Sequence, residues 1–141
     1  MKSLVIGALA GVIASGTALA ADPTGVWLSQ DGDAKVHVTD CGGALCGTVV
    51  WLKEPVDPKT GRPRTDKFNP DASKRDRPML GLQVVHGLRP SGANRWSGLI
   101  YNADEGTTHQ VDLTVKNPSQ AVVEGCIFVV ICQNERWTRA D

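Results

Sequence analysis

The chain has 141 residues and a formal net charge of zero, enough for one ordinary domain and too few for two once a leader is set aside. Lys2, an apolar run from Leu4 to Ala14 and then Ala18-Leu19-Ala20 have the three parts of a secretory signal peptide cut after Ala20. Residues 21–141 then form a single domain with a formal charge of −1 and no apolar run near the roughly 20 residues of a membrane span. That charge disfavours generic nucleic-acid binding. The opening run is too short and too rich in Gly and Ala for an anchor, so the expected location is the periplasm or the cell exterior.

Gly25-Val26-Trp27-Leu28 reads as the first strand of the mature chain. Val36-His37-Val38-Thr39 and Thr48-Val49-Val50-Trp51 follow as two strands, joined through Cys41, two glycines and Cys46. Four cysteines in an exported chain are normally paired, and they allow three connectivities. Setting Cys41 opposite Cys46 places Val38 opposite Val49 and Val36 opposite Trp51, all on one face. That agreement favours local bridges, Cys41–Cys46 and Cys126–Cys132. A zinc site is the alternative, but neither spacing is a Cys-x-x-Cys pair.

A stretch from 53 to 78 interrupts the strands. Its residues 53–77 hold eight Lys/Arg and five Asp/Glu, and the whole stretch holds five of the eight prolines, so it cannot be core. A loop this long in a small domain is usually functional or disordered. One short helix is expected inside it, with Asn69 as N-cap and Pro70 in its first position. The stretch reads as a solvated crossover over one end of the fold, or as a lid whose Arg62, Arg64, Arg75 and Arg77 meet an anionic ligand or envelope surface.

Strand signals then recur at 80–88, 95–101, 107–115, 121–128 and 133–139, separated by turn-forming residues at 90–94, 102–106 and 117–119. Eight short strands with hairpin-length links predict an all-β fold. The simplest closure is a small eight-stranded antiparallel up-and-down barrel with one long charged crossover loop carrying a short helix. A sandwich is the runner-up. The last hairpin carries five consecutive apolar residues, 127–131, at its tip. They either plug one end of the fold or stand out as an apolar knob.

Several of these residues, in this order, resemble one family. The series is Gly25-Val26-Trp27, residues 41–47, Asp66-Lys67-Phe68-Asn69-Pro70-Asp71, residues 75–81, Gly98-Leu99-Ile100-Tyr101 and Trp137-Thr138-Arg139. It is similar to the bacterial exported family catalogued as domain of unknown function 2147. The resemblance spans nearly the whole mature chain and implies a small lipocalin-like β-barrel in the periplasm, with no established reaction. Where the family tends to have Asp-Pro and later Gly-Lys-Thr-Tyr, this chain reads Asn102-Ala103 and Gly106-Thr107-Thr108-His109. Gly25-x-Trp27 on the first strand with Arg139 on the last also resembles the lipocalin arrangement in which a Trp packs under an Arg at the closed barrel end. Cation–π attraction gives that pair, with Trp137 beside it, a physical basis.

No nucleophile elbow, zinc-protease helix or phosphate loop is present. His37 falls opposite the apolar face, whereas His86 alternates with Leu80, Leu82, Val84 and Leu88, and His109 with Val111, Leu113 and Val115. His86 and His109 are therefore expected inward, where with Trp51 and Tyr101 they make a candidate ligand-binding set. Asp104 and Glu105 read as turn residues. Four of the seven aromatics are tryptophans, and inward tryptophans would nearly fill so small a barrel, leaving a pocket small or at its mouth. Three functions remain. The first is a periplasmic binding module for a small apolar or amphipathic molecule. The second is an envelope interaction protein that docks through the 53–78 loop or the 127–131 tip. Third is an enzyme using His86 and His109, for which no motif speaks. No cofactor or metal is expected.

Overall fold

A computed structural model describes residues 11–12, 21–127 and 131–141, the side chains of 126, 127 and 131 excepted. The leader expected at 1–20, apart from 11–12, and residues 128–130 of the hairpin tip expected at 127–131 lie outside the described residues. Alternation makes the strands: in the sixth, buried Val111, Leu113 and Val115 are interleaved with more exposed polar neighbours. The strands are β1 Gly25–Leu28, β2 Ala34–Asp40, β3 Leu45–Leu52, β4 Gln83–Gly92, β5 Arg95–Asn102, β6 Thr107–Asn117, β7 Gln120–Ile127 and β8 Ile131–Arg139. Each pairs antiparallel with the next, and β8 returns to β1 through Trp27↔Arg139 and Leu28↔Thr138, closing an eight-stranded barrel. Closure leaves the short chain few open edges, as the all-β expectation required.

The first hairpin departs from its expected register. Asp40 Oδ1 accepts from the N–H groups of Gly42 and Gly43, both at positive φ, and Cys41 N–H donates to the Ala44 carbonyl. This tight turn sets Thr39, not Cys41, opposite Cys46, and moves the ladder by two residues, so that Val36 faces Val49 and Val38 faces Gly47. The inward set of valines survives because a two-residue shift keeps parity. A bulge then adds one residue to β3 after Val49 and sets Trp51 opposite Lys35. Trp51 therefore faces outward, 39% exposed, with the Lys35 ammonium 5.1 Å from its ring centroid. The Cys41–Cys46 bridge forms as expected, with Cα atoms 5.8 Å apart. At the far end the register sets Cys126 opposite Cys132, and Cys132 is disulfide-bonded. The bridge expected there ends on Cys126, whose side chain lies outside the described residues.

β4 also breaks alternation. Its pairing with β3 gains a residue at Val84, so Val84 and Val85 are both buried, and its pairing with β5 slips again at Gly87, which has φ +60°. His86 then sits opposite Leu99, which is 42% exposed, on the outer wall. Leu80 lies before the strand and is exposed. Gly98 on β5 accommodates the bend, because a Cβ there would lie 2.7 Å from the His86 carbonyl oxygen.

Apolar packing concentrates at one end. Trp27, Val38, Leu88, Leu113 and Ala121 are at most 1% exposed, and burying each of the larger ones contributes about 1.5–3 kcal/mol. The 53–82 crossover lies over the other end, tied by the short bridges Val56↔Pro63 and Thr65↔Pro78. Its expected helix is a single 3-10 turn, Ala72–Lys74. Asp71, not Asn69, is its N-cap, accepting from Ser73 N–H, because Asn69 is turned inward to donate to Asp66. Among the described residues, no helix is long and apolar enough to cross a membrane.

Candidate functional site

A cavity of about 780 Å³ opens at the end opposite the packed half. Val36, Val49, Val84, Val111, Val123 and Trp137 contribute its apolar floor. They come from β2, β3, β4, β6, β7 and β8, inward positions that strand alternation delivers to one interior. Among the described residues the mouth is largely polar, built by the β1–β2 turn, the start of the crossover, the β5–β6 turn and the upper part of β8, with Met79 and Leu82 from the end of the crossover beneath it.

Two of the four candidate lining residues are there. His109 lies opposite Ile100 in the wall, and its Nε2 is 2.9 Å from the Thr107 hydroxyl. Tyr101 stands at the mouth end of β5. Trp51 and His86 are not part of the lining, because the bulges in β3 and β4 turn both outward. Those bulges also change the volume. With Trp51 outside and Trp27 in the packed half, the interior is not filled by indole rings, and a cavity larger than expected remains.

Tyr101 has a second role. Its hydroxyl donates to Asp66 Oδ1 at 2.5 Å, while Arg77 Nη2 and Asn69 Nδ2 donate to Asp66 Oδ2 at 2.7 and 2.8 Å. Asp66 is 0% exposed. Burial alone pushes its carboxyl up, and the bonds from Tyr101, Arg77 and Asn69 more than cancel that, leaving it below the ordinary carboxylate value. Burial first, and then the Asp66 carboxylate, raises the Tyr101 phenol. The crossover is thus fastened to the barrel through one buried carboxylate. Reading the strands missed this node. Its signal was a polar motif, Asp66 to Asp71, too specific in type for a merely solvated loop.

The loop arginines are largely engaged within the loop. Arg64 reaches Glu54 through its carbonyl at 2.6 Å and its carboxylate at 3.3 Å. Arg75 Nε donates to the Asn69 carbonyl at 2.7 Å, and Arg77 holds Asp66. Arg62 is exposed and contributes backbone bonds to a turn. Of the four, Arg64 also lines the cavity.

Barrel closure sits at the packed end, as expected. The Arg139 guanidinium lies 4.3 Å from the Trp27 ring centroid and donates to the carbonyls of Asp22, Thr24 and Pro118. Trp27 Nε1 donates to the Pro23 carbonyl at 2.9 Å. Trp137 is 3% exposed, and its Nε1 donates to Glu135 Oε1 at 3.1 Å. Asp104 and Glu105 do form a turn, with Asp104 N–H bonded to the Asn102 side chain, and they also border the cavity.

With this geometry in hand, the fold has a solved counterpart. A protein of Helicobacter pylori, HP1028, described as belonging to the lipocalin family, superposes with a TM-score of 0.71 over 85% of this chain and 84% of its own, at 17% identity. At that identity the likeness concerns the fold, an eight-stranded lipocalin-like barrel. No curated protein matches the chain. The family described as "Uncharacterized protein conserved in bacteria" (DUF2147) matches residues 25–139, from the glycine that opens β1 to the arginine that closes β8, and the chain belongs to that family.

Proposed function

We propose that this chain is an exported binding module that captures a small apolar or amphipathic molecule in the open end of its barrel, without chemistry on it. One observation carries the reading: an apolar floor beneath a polar mouth, enclosing about 780 Å³. Pockets for small ligands span roughly 300–1,000 Å³ and combine apolar walls with a few polar groups. The lipocalin-like fold supports small-molecule binding in general. Export to the periplasm is supported by the leader pattern before Ala21 and by the Cys41–Cys46 bridge. Docking through the loop arginines is less favoured, since Arg64, Arg75 and Arg77 already hold partners within the loop.

The test is titration of the purified domain with the neutral fluorophore N-phenyl-1-naphthylamine, alongside Ile100→Trp, which fills the cavity from a half-buried lining position. Saturable binding should weaken by at least about tenfold in the variant, as expected when an apolar pocket is occupied. Unchanged affinity would place the site elsewhere. His109→Ala should also alter binding, whereas His86→Ala, on the outer wall, should not.

A further inference from the structure

We infer, building on that binding reading, that the cavity receives an amphiphile whose head group is cationic. Among the described residues the lining carries six carboxylates, from Asp31, Asp33, Glu54, Asp104, Glu105 and Glu135, against two cations, Lys53 and Arg64. Arg64 and the Glu54 carboxylate pair with each other at 3.3 Å, which leaves five carboxylates against Lys53. Placement, more than composition, makes the excess: outside the 53–77 segment, residues 21–141 hold ten Asp/Glu and six Lys/Arg, and five of those acids but none of those bases line the cavity. The acids also come from four separate segments: the β1–β2 turn, the start of the crossover, the β5–β6 turn and β8. Among the described residues they border the opening from several elements rather than from one stretch of chain. Low-dielectric walls beneath such a group of charges focus its field on whatever sits at the mouth.

A second feature marks where the head group meets the tail. Glu135 is half-buried, and its Oε1 is fixed by Trp137 Nε1 at 3.1 Å and by Gln30 N–H at 3.2 Å. It is a carboxylate held in place where the apolar floor, at Trp137, gives way to the polar rim. A carboxylate beside an indole is a suitable receiver for an ammonium, through charge and ring together. An anionic head in the same place would meet several negative charges at close range.

The experiment compares one chain length with three heads: dodecyltrimethylammonium, laurate and dodecyl maltoside, each below its micelle concentration, by displacement of N-phenyl-1-naphthylamine. The cationic probe should bind at least about tenfold more tightly than laurate at low salt, the gap shrinking as salt rises to about 0.5 M. The double variant Asp104→Lys/Glu105→Lys, in an exposed turn, should narrow the gap between dodecyltrimethylammonium and laurate while circular dichroism stays as in wild type. Equal affinity for the three heads, or a preference for laurate, overturns the cationic assignment and leaves the binding reading standing. If the neutral fluorophore and all three amphiphiles fail to bind, both fall.

Discussion

Asp66 shows how one residue joins the long crossover to the barrel. Its carboxylate accepts three hydrogen bonds at 2.5–2.8 Å while fully buried. Replacing Asp66 with Asn keeps the shape but removes the charge and one acceptor, so the Tyr101, Arg77 and Asn69 donors no longer all have a partner. The expected loss is about 1–3 kcal/mol in urea denaturation at neutral pH. The pH dependence follows from the direction of the shift. The folded Asp66 value lies below its unfolded one, so its contribution is complete above about pH 4 and fades as pH falls through the folded value. Wild type should therefore approach the stability of Asp66→Asn on acidification, and a gap that stays constant to pH 2 would contradict the assignment. Tyr101, raised in the fold, acts with the opposite sign. Its contribution holds below about pH 10 and is lost as pH rises through the raised value.

Arg139 does comparable work at the other end, where its guanidinium covers Trp27 and serves three carbonyls. Arg139→Lys retains the charge and cannot make that set of bonds with one ammonium. A loss of about 1–3 kcal/mol is expected in the same assay, and a loss below about 0.5 kcal/mol, as at an ordinary surface site, would contradict it.

Among the elements, existence was legible in the sequence and aim was not. Valine alternation and turn residues locate all eight strands, and the inward Val36, Val38 and Val49 survive even a two-residue error in the first register. Bulges are different, because one inserted residue reverses every side chain beyond it. Trp51 and His86 were misplaced for that reason, each lying just past a register slip. His109, on the unbroken β5–β6 ladder, was placed correctly. Gly87 and Gly98, which approach closely, mark the second β4 slip, but a glycine in a strand does not announce its neighbour, and the slip at Val84 that turns His86 outward has no such mark. The crossover's docking was legible only through its family-like motif. Gly106 completes it: at φ +70°, a Cβ there would collide with the Phe68 carbonyl. Gly106→Ala should therefore loosen the 53–82 segment while sparing the barrel. Faster trypsin cleavage at the exposed Lys59 and Lys74 would show this, with the far-ultraviolet circular dichroism of wild type. Unchanged cleavage would mean that the crossover is held without that contact.

On the scale of the molecule, one continuous ladder encloses two unlike halves. Below Val36 and Val111 the interior is packed with Trp27, Leu88 and Leu113; above them it is hollow and bordered by charge. The hollow half also has the weaker seam. β1 meets β8 through only two residue pairs near the packed end, and beyond Leu28 the wall is joined by Gln30, whose side-chain oxygen accepts from Arg136 N–H while its own N–H donates to Glu135. Side-chain links of this kind are exposed to water and open more readily than a buried ladder. Amide exchange should therefore be slowest at Val38, Leu88, Leu113 and Ala121, and faster at Leu52, Ile100 and His109, although all seven lie within strands. A ligand that fills the hollow half supplies the packing it lacks. At about 100 times its dissociation constant such a ligand stabilises the fold by about 2.7 kcal/mol, which in a domain of this size raises Tm by several degrees. The protection gained should concentrate at the mouth ends of β3, β5 and β6 and at the Gln30 seam, with little change around Trp27. Uniform protection along the strands, or a gain at the packed end alone, would show that the two halves unfold as one unit and that the ligand does not sit in the opening.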